Sequence, residues 1–197
     1  MITPSGTFTG TKAYDGSTAI TGSGTGITFS GVINGDTVTV ASVTGNFADR
    51  HVGTGKPFTA ISATFGGADA ANYTINPAWT AAGTGEITKQ ASVTWVGGAS
   101  GEWFNPSNWA ITGTPSTIGV VPDKSNVTNV FVPQGTTISF DQNTRSGLAE
   151  AGTVTVSNLT YSGNASLGNL NLKVGALTIG AAGTLGGLEG AAATSLT

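Results

Sequence analysis

Glycine alternates with short β-forming runs along the whole chain, and this pattern limits the possible folds more than any other feature. Glycine accounts for 31 of the 197 residues, roughly twice the usual share of about 7%. Hydrophobic residues make up 38% of the chain and recur with alternation. A period of two is typical of strands, and glycine is a preferred residue of turns. The sequence therefore predicts an all-β fold of short strands joined by many turns.

Composition also excludes several kinds of function. Lys and Arg number seven and are spread singly, so no basic face is expected for a nucleic-acid backbone. The chain has no Cys, which excludes a disulfide framework and a zinc–thiolate site. No apolar run approaches the roughly 18 residues that a membrane span needs, and residues 1–20 lack the pattern of a signal peptide. We therefore expect no nucleic-acid partner, no membrane span and no cofactor.

Two regions with different patterns meet near residue 90. In the first, Asn34-Gly35 lies between alternating β-formers, which is a strong hairpin signal. Segments 58–65 and 73–75 are further candidate strands. In the second region, short alternating runs occur at 130–132, 137–140, 154–156, 159–161, 170–172 and 177–179.

Those short runs predict a stack of coils. Runs of this length are too short for stable independent hairpins. Stacked in successive coils, each run pairs with the next, and the inward side chains form one continuous core. For residues 127–197 the sequence favours a right-handed β-solenoid, with a small irregular sandwich as the alternative.

Five motifs follow one another in fixed order in the first region. They are KAYDGST at 12–18, GD at 35–36, GNFADR at 45–50, VGTGK at 52–56 and GADAANYT at 67–74. Together they resemble the YDG domain over about residues 5–90, which implies a small β-rich module, sandwich-like or β-grasp-like. The signature positions of this resemblance are Tyr14, Asp15, Gly16, Gly35, Asp36, Gly53, Gly55, Lys56, Asn72 and Tyr73.

The resemblance also implies a biological setting. YDG domains occur as repeats in large bacterial surface and secreted proteins, including filamentous-haemagglutinin-like adhesins that two-partner secretion exports. Ile2-Thr3-Pro4 is similar to the end of one such repeat, and Glu86-Ile87-Thr88-Lys89 closes the next. We therefore expect residues 1–4 to be the tail of a preceding repeat and residues 5–90 to be the YDG module. The glycine-rich end after 186 has no cap, as expected of a truncated stack.

A tryptophan-rich connecting segment, residues 91–126, precedes the predicted solenoid. Its W-x-G-G…W-x-x-x-x-N-W pattern at 95–109 resembles an element found before β-helical segments of autotransporters and haemagglutinin-like exoproteins. Trp95, Trp103 and Trp109 are candidate glycan-stacking residues, since bacterial adhesins often meet sugars through flat aromatic faces. The favoured alternative is that they pack against one another and Phe104 and plug the start of the solenoid.

The remaining polar motifs are better explained as turns than as reaction centres. For Tyr14-Asp15-Gly16 we predict a turn with Gly16 at positive φ and a hydrogen-bonded Tyr14 hydroxyl. Gly53-Thr54-Gly55-Lys56 is similar to a phosphate-binding loop, but Pro57 stands where the full motif needs Ser or Thr.

Titratable residues are too scattered for a catalytic or metal site. The chain has one His and ten Asp plus Glu, and no acids stand at the spacing of a calcium loop. We therefore expect no catalytic, metal-binding or cofactor-binding residue. N-x-[ST] sequons occur at Asn72, Asn126, Asn158 and Asn164. Chance explains them in so Ser- and Thr-rich a chain, and glycosylation is a minor hypothesis.

The resemblance implies a non-catalytic structural or adhesive segment of a large surface adhesin, acting as a stalk or presentation module outside the bacterial cell. It would support attachment to other cells, a host or a biofilm matrix. Expected partners are an exopolysaccharide or a host-surface glycan or protein, adjacent repeats of the same chain, and an outer-membrane secretion partner. The alternative is a carbohydrate-binding module or, less favoured, a polysaccharide-active enzyme on a β-solenoid.

Overall fold

The structure, a computed structural model, describes residues 1–139, 154–161, 164–166, 172–179 and 184–186. The described elements are fifteen strands and two short 3₁₀ helices, Ala70–Asn72 and Pro106–Asn108. The predicted all-β class is therefore confirmed. The chain divides into two compact units, one formed by 1–13 and 17–88 and the other by 14–16 and 89–197. Predicted features at Phe140, at 170–171 and after Gly186 lie outside the described residues.

The first unit is a closed barrel of five strands. The strands are β1 Thr3–Ala13, β2 Ala19–Ser30, β3 Thr39–Phe47, β4 Gly53–Gly66 and β5 Ala81–Thr88. Consecutive strands pair antiparallel, and β5 closes the barrel by pairing parallel with β1. The sequence predicted a sandwich or a β-grasp-like sheet instead. Local patterns do not report this closure, because it joins the two ends of the unit.

Aromatic rings fill the barrel. Phe47 and Phe58 meet edge to face with centroids 5.7 Å apart, and Phe8 meets Trp79 at 5.5 Å. Such pairs add about 0.5–1.5 kcal/mol beyond the area they bury. Gly83 on β5 makes room for the Phe58 ring, since a Cβ there would lie 2.2 Å from Cζ of Phe58. Glycine in this strand is thus a packing requirement.

Residues 1–4, expected from the sequence to be the tail of a preceding repeat, pack as part of this barrel. Ile2 is buried, and its N–H donates to the carbonyl of Thr74 at 2.8 Å. The indole N–H of buried Trp79 donates to the carbonyl of Pro4 at 2.8 Å. These contacts place the first residues inside the unit that follows them.

The Asn34-Gly35 turn lies within a longer connection than a two-residue hairpin. β2 and β3 pair antiparallel, but residues 31–38 separate them. A turn within this connection is closed by the N–H of Asp36, which donates to the carbonyl of Ile33 at 3.1 Å. The predicted strand at 73–75 is reduced to a single bridge between Ile2 and Ile75.

The second unit contains two sheets. The first has the strand order β14-β12-β10-β6-β8-β9 and the second β15-β13-β11-β7. The strands are β6 Gln90–Trp95, β7 Ser100–Glu102, β8 Trp109–Ile111, β9 Thr114–Ile118, β10 Val127–Val132, β11 Thr137–Ser139, β12 Val154–Tyr161, β13 Asn164–Ser166, β14 Leu172–Ile179 and β15 Thr184–Gly186. Within the described residues, no helix has the length and apolar character needed to cross a membrane.

Parallel strands of the second unit are in register from one segment to the next. In the first sheet Val93, Val130, Leu159 and Leu177 occupy one column. The side chains of Val93, Val130 and Leu159 are all buried. In the second sheet Gly101, Ile138, Ala165 and Leu185 form a parallel column in the same way. Matching positions of successive segments thus stand in line, and Val93, Val130 and Leu159 of the first column form part of the core.

A polar ladder runs along the same parallel strands. The side-chain amide of Asn158 donates to Oδ1 of Asn129 at 2.7 Å. The amide of Asn129 in turn donates to the backbone carbonyl of Ala91 at 2.8 Å. Asn129 and Asn158 are paired residues of β10 and β12, so the hydrogen bonds reinforce the register that the aliphatic column sets.

Candidate functional site

Tyr14 of the Tyr-Asp-Gly motif is completely buried in the second unit. Its hydroxyl donates towards the carbonyl of Val121 at 3.0 Å and Oδ1 of Asp123 at 3.2 Å. Val121 and Asp123 are also buried. The ring is therefore fully buried, while its hydroxyl donates towards buried acceptors.

Gly16 lets the backbone approach this site closely. Its φ is +81°, as the turn interpretation predicts, and a Cβ there would lie 2.2 Å from the carbonyl oxygen of Gly119. Both the backbone angle and the contact demand glycine. Asp15, between Tyr14 and Gly16, is half-buried. The motif is thus a docking segment built to fit residues 119–123.

A turn before β10 positions Asp123, one of the residues that accept the hydrogen bond of the Tyr14 hydroxyl. The side-chain amide of Asn126 donates to Oδ1 of Asp123 at 2.6 Å, and its N–H donates to the carbonyl of Asp123 at 3.1 Å. The carbonyl of Asn126 accepts from the N–H of Gln90 at 2.9 Å. Sequence reasoning did not assign Asp123 and Asn126 to this site. The available signal was the turn-forming run Asp123-Lys124-Ser125-Asn126. In the structure Lys124 within this turn adopts the left-handed region, with a φ of 45°.

The three tryptophans of the connecting segment form one buried cluster. Trp95, Trp103 and Trp109 are at most 3% exposed. Trp109 meets the other two edge to face, with centroid distances of 5.2 Å to Trp95 and 4.7 Å to Trp103. The indole N–H groups of the three donate to backbone carbonyls: that of Trp95 to Gly98, that of Trp103 to Pro122 and that of Trp109 to Trp103. The glycan-stacking interpretation is therefore incorrect for this structure, because buried rings offer no face to a sugar.

Asn108 supports the cluster and was not assigned a role from the sequence beyond the turn it lies in. Its amide donates to the carbonyl of Glu102 at 2.8 Å. Two glycines leave space for it, since a Cβ on Gly97 or Gly101 would lie within 2.8 Å of its side chain. Carboxylate Oε2 of Glu102 accepts from the hydroxyl of Ser139 at 3.0 Å. The W-x-G-G spacing thus reflects packing around an asparagine.

In the barrel, Tyr73 holds the Asn34-Gly35 turn. Its hydroxyl donates to Oδ2 of Asp36 at 2.6 Å and accepts from the N–H of Ile33 at 3.0 Å. The hydrogen bond to Asp36 raises the pKa of the Tyr73 hydroxyl above its usual value. Two signature motifs, GD at 35–36 and NYT at 72–74, therefore form one contact.

The segment before Tyr73 adds a second clamp on the same connection. Oδ2 of Asp69 accepts from the N–H of Thr37 at 2.8 Å, and the N–H of Asp69 donates to the carbonyl of Thr37 at 3.2 Å. Asn72 ends the short 3₁₀ helix, and its N–H donates to the carbonyl of Asp69 at 3.0 Å. The side chains of Asp36, Asp69 and Tyr73 are thus used in hydrogen bonds that stabilise this connection.

The VGTGK motif is the irregular start of β4. Its register with β5 shifts between Gly53 and Lys56, and Gly55 has a φ of +63°. The ammonium of Lys56 contacts Oδ1 of Asp49 at 2.7 Å. This hydrogen bond to Lys56 lowers the pKa of the Asp49 carboxyl. The lysine of the supposed phosphate loop is thus engaged in an ion pair.

The asparagines of the four N-x-[ST] sequons differ in solvent exposure and in hydrogen bonding. Asn72 is exposed, whereas Asn126 is 1% exposed and Asn158 donates its amide to Asn129. The side chain of Asn164 lies outside the described residues. Among the described side chains, no group of three or more His, Cys, Asp or Glu could hold a metal ion.

The first unit is therefore a small β-barrel module whose characteristic polar residues hold its loops, while Tyr14 and Gly16 belong to the second unit and pack on residues 119–123. Residues 1–82 match the family model of the YDG domain, which confirms the predicted resemblance for this part of the chain. Residues 83–197 lie outside the matched range. Comparisons with curated proteins and with solved structures found no match.

Proposed function

We propose that this chain is a non-catalytic structural segment of a large secreted bacterial surface adhesin. In this proposal the barrel is a spacer or presentation module and the second unit is part of a right-handed β-solenoid stalk. The parent protein acts outside the cell, in attachment to other cells, a host or a biofilm matrix. The match of residues 1–82 to the YDG domain supports the first role.

The observation that carries the stalk role is the in-register column Val93, Val130, Leu159 and Leu177. A β-solenoid needs parallel strands that repeat at matching positions in successive coils, so that each coil contacts only its neighbours. The polar ladder formed by Asn158 and Asn129 supports the same arrangement. Parallel strand connections in one sheet are right-handed in the great majority of proteins, which is the basis for the proposed hand.

The polar groups of the signature motifs support a non-catalytic role. Asp36 and Tyr73 contact each other, Lys56 pairs with Asp49, and Tyr14 is buried against Val121. Catalysis needs a nucleophile, base or acid that can reach a substrate, and these side chains are held in structural contacts.

Binding to a surface would then depend on many weak contacts, with affinity multiplied by multivalency.

The proposed partners are an exopolysaccharide or a host-surface glycan or protein. Adjacent repeats of the same parent protein and an outer-membrane secretion partner complete the set. The test compares the free chain with beads that carry many copies, on a glycan array, on host-surface proteins and on exopolysaccharides. We expect retention of the beads and weak retention of the free chain.

A parallel assay tests the absence of turnover. The chain is incubated with the same polysaccharides, and released reducing or unsaturated sugar ends are measured. Release above that of a heat-denatured sample would overturn the non-catalytic role. Beads that are retained on none of these surfaces would overturn the adhesive role.

A further inference from the structure

We propose that Asn34 is a site of spontaneous deamidation, so that the Ile33–Asp36 turn slowly converts itself to an aspartyl or isoaspartyl form. Asn34-Gly35 is the only Asn-Gly pair in the 197-residue sequence. Both residues are exposed. A Cβ on Gly35 would meet nothing within 4 Å, so the space around the reacting backbone is open.

The chemistry needs only water as co-reactant. The backbone nitrogen of Gly35 loses its proton and attacks Cγ of Asn34. A bond forms between these two atoms, the bond from Cγ to the amide nitrogen breaks, and that nitrogen leaves as ammonia. The resulting five-membered succinimide is then hydrolysed. Water adds at one of its two carbonyls and gives either aspartate or isoaspartate, with no change of oxidation state.

The local contacts leave the reacting groups unrestrained. In the described structure neither the side-chain amide of Asn34 nor the N–H of Gly35 makes a hydrogen bond. The one backbone hydrogen bond of the turn joins Asp36 to Ile33, and it involves neither group. Glycine after the asparagine also removes the side chain that would crowd the attack.

The product changes a contact that the barrel uses. A new carboxylate at position 34 lies two residues from Asp36, which accepts from the Tyr73 hydroxyl. The isoaspartyl form also lengthens the backbone by one methylene between Ile33 and Asp36, the two residues that Tyr73 holds. A charge-changing modification acts on neighbours through ordinary electrostatics. We expect the connection 31–38 to loosen.

The same unit contains a matched internal control. Asn72 is exposed like Asn34 but is followed by Tyr73, whose side chain crowds the backbone nitrogen and whose N–H donates to the carbonyl of Ala70 at 3.1 Å. The full chain is incubated in warm, mildly alkaline buffer and digested at intervals. Mass spectrometry follows the conversion of amide to acid in the two peptides, and isoaspartate is measured by enzymatic methylation. We expect Asn34 to react at least an order of magnitude faster than Asn72.

Two variants separate the mechanism from a general ageing of the protein. Asn34→Ser abolishes the mass change at this position, and Gly35→Ala slows it by crowding the attack. Amide hydrogen exchange of residues 31–38 is expected to quicken in the aged wild-type protein and to stay constant in Asn34→Ser. The proposal is overturned if Asn34 keeps its amide as long as Asn72 does. It is also overturned if only the denatured protein reacts.

Discussion

Gly16 and Gly98 have nearly the same backbone angle but different surroundings. Their φ values are +81° and +77°. A Cβ on Gly16 would meet the carbonyl of Gly119 at 2.2 Å, whereas a Cβ on Gly98 would meet nothing within 4 Å. The pair therefore separates the cost of a left-handed backbone from the cost of a steric clash.

Gly16→Ala is expected to destabilise the second unit by about 3 kcal/mol or more, since strain and clash add. Gly98→Ala is expected to cost only about 1–2 kcal/mol, the usual cost of the left-handed region. The measurement is hydrogen exchange of second-unit peptides at increasing urea concentrations. Equal losses in the two variants would contradict the docking role of Gly16.

Asp49 provides a test of pH dependence. Its ion pair with Lys56 lowers the folded-state pKa, so its stabilisation is present above the unfolded pKa of about 3.9. That stabilisation is lost as the pH falls through the lower folded-state value. The side chain of Asp49 is 52% exposed, and an exposed pair contributes less than about 1 kcal/mol.

Accordingly, Asp49→Asn is expected to be slightly less stable than the wild type at neutral pH and equally stable once the pH is below the lowered folded-state pKa of Asp49. Lys56→Gln is the matched control and should show the same convergence. Urea unfolding at a series of pH values measures both. A difference that is constant across this range would mean that charge is not its cause.

At the residue scale the sequence predicted local conformation better than partners. The positive φ of Gly16 follows from the Tyr-Asp-Gly composition alone. The partners of Tyr14 do not, because Val121 lies 107 residues further along the sequence. The tryptophans show the same limit, since an aromatic side chain is equally suited to a sugar and to a core until its burial is known.

At the scale of elements, neighbouring residues of β10 face opposite sides of the sheet. Val130 is buried, whereas Phe131 is 38% exposed. Phe131 stands in a column with Thr94 and Thr160. The same substitution at the two positions therefore tests which column forms the core.

Val130→Thr is expected to destabilise the second unit by about 1–3 kcal/mol, because it buries a hydroxyl without a ready partner. Phe131→Thr continues a column of threonines and should change stability by less than about 1 kcal/mol. Urea-dependent hydrogen exchange of β6, β10 and β12 measures both. The opposite ranking would show that the strand register is wrong.

The positions of strands were easier to predict than their pairing. Alternation marked the runs that became β4, β10 and β12, because each run records which face is apolar. No local sequence pattern indicated that β1 and β5 pair and close the barrel. The same holds for residues 1–4, whose β-forming character fits the end of one module as well as the start of another.

At the scale of the whole molecule, sparse charge governs solubility. Only 9% of the residues are charged, with a net charge of −3 at neutral pH. Few ions remain to keep copies apart when that small net charge is titrated away. The protein is therefore expected to be least soluble near its isoelectric point, about pH 4.8.

Turbidity and light scattering across a pH series measure this effect. Scattering should peak near the isoelectric point and fall on both sides of it. Glu86→Gln together with Glu150→Gln should move the peak to higher pH, since two acids are neutralised and neither holds one of the loop contacts described above. A peak that stays in place would show that aggregation follows unfolding and not the loss of charge.

The burial of Tyr14 in the second unit also affects the order in which the polypeptide can complete its fold. A ribosome delivers residues 14–16 long before residues 119–126, against which they pack. β1 and β2 can pair early, while the loop between them has no partner until much later. Contacts between distant positions form slowly because a long loop must close first. The second unit is thus completed by a segment that emerges well before the rest of that unit.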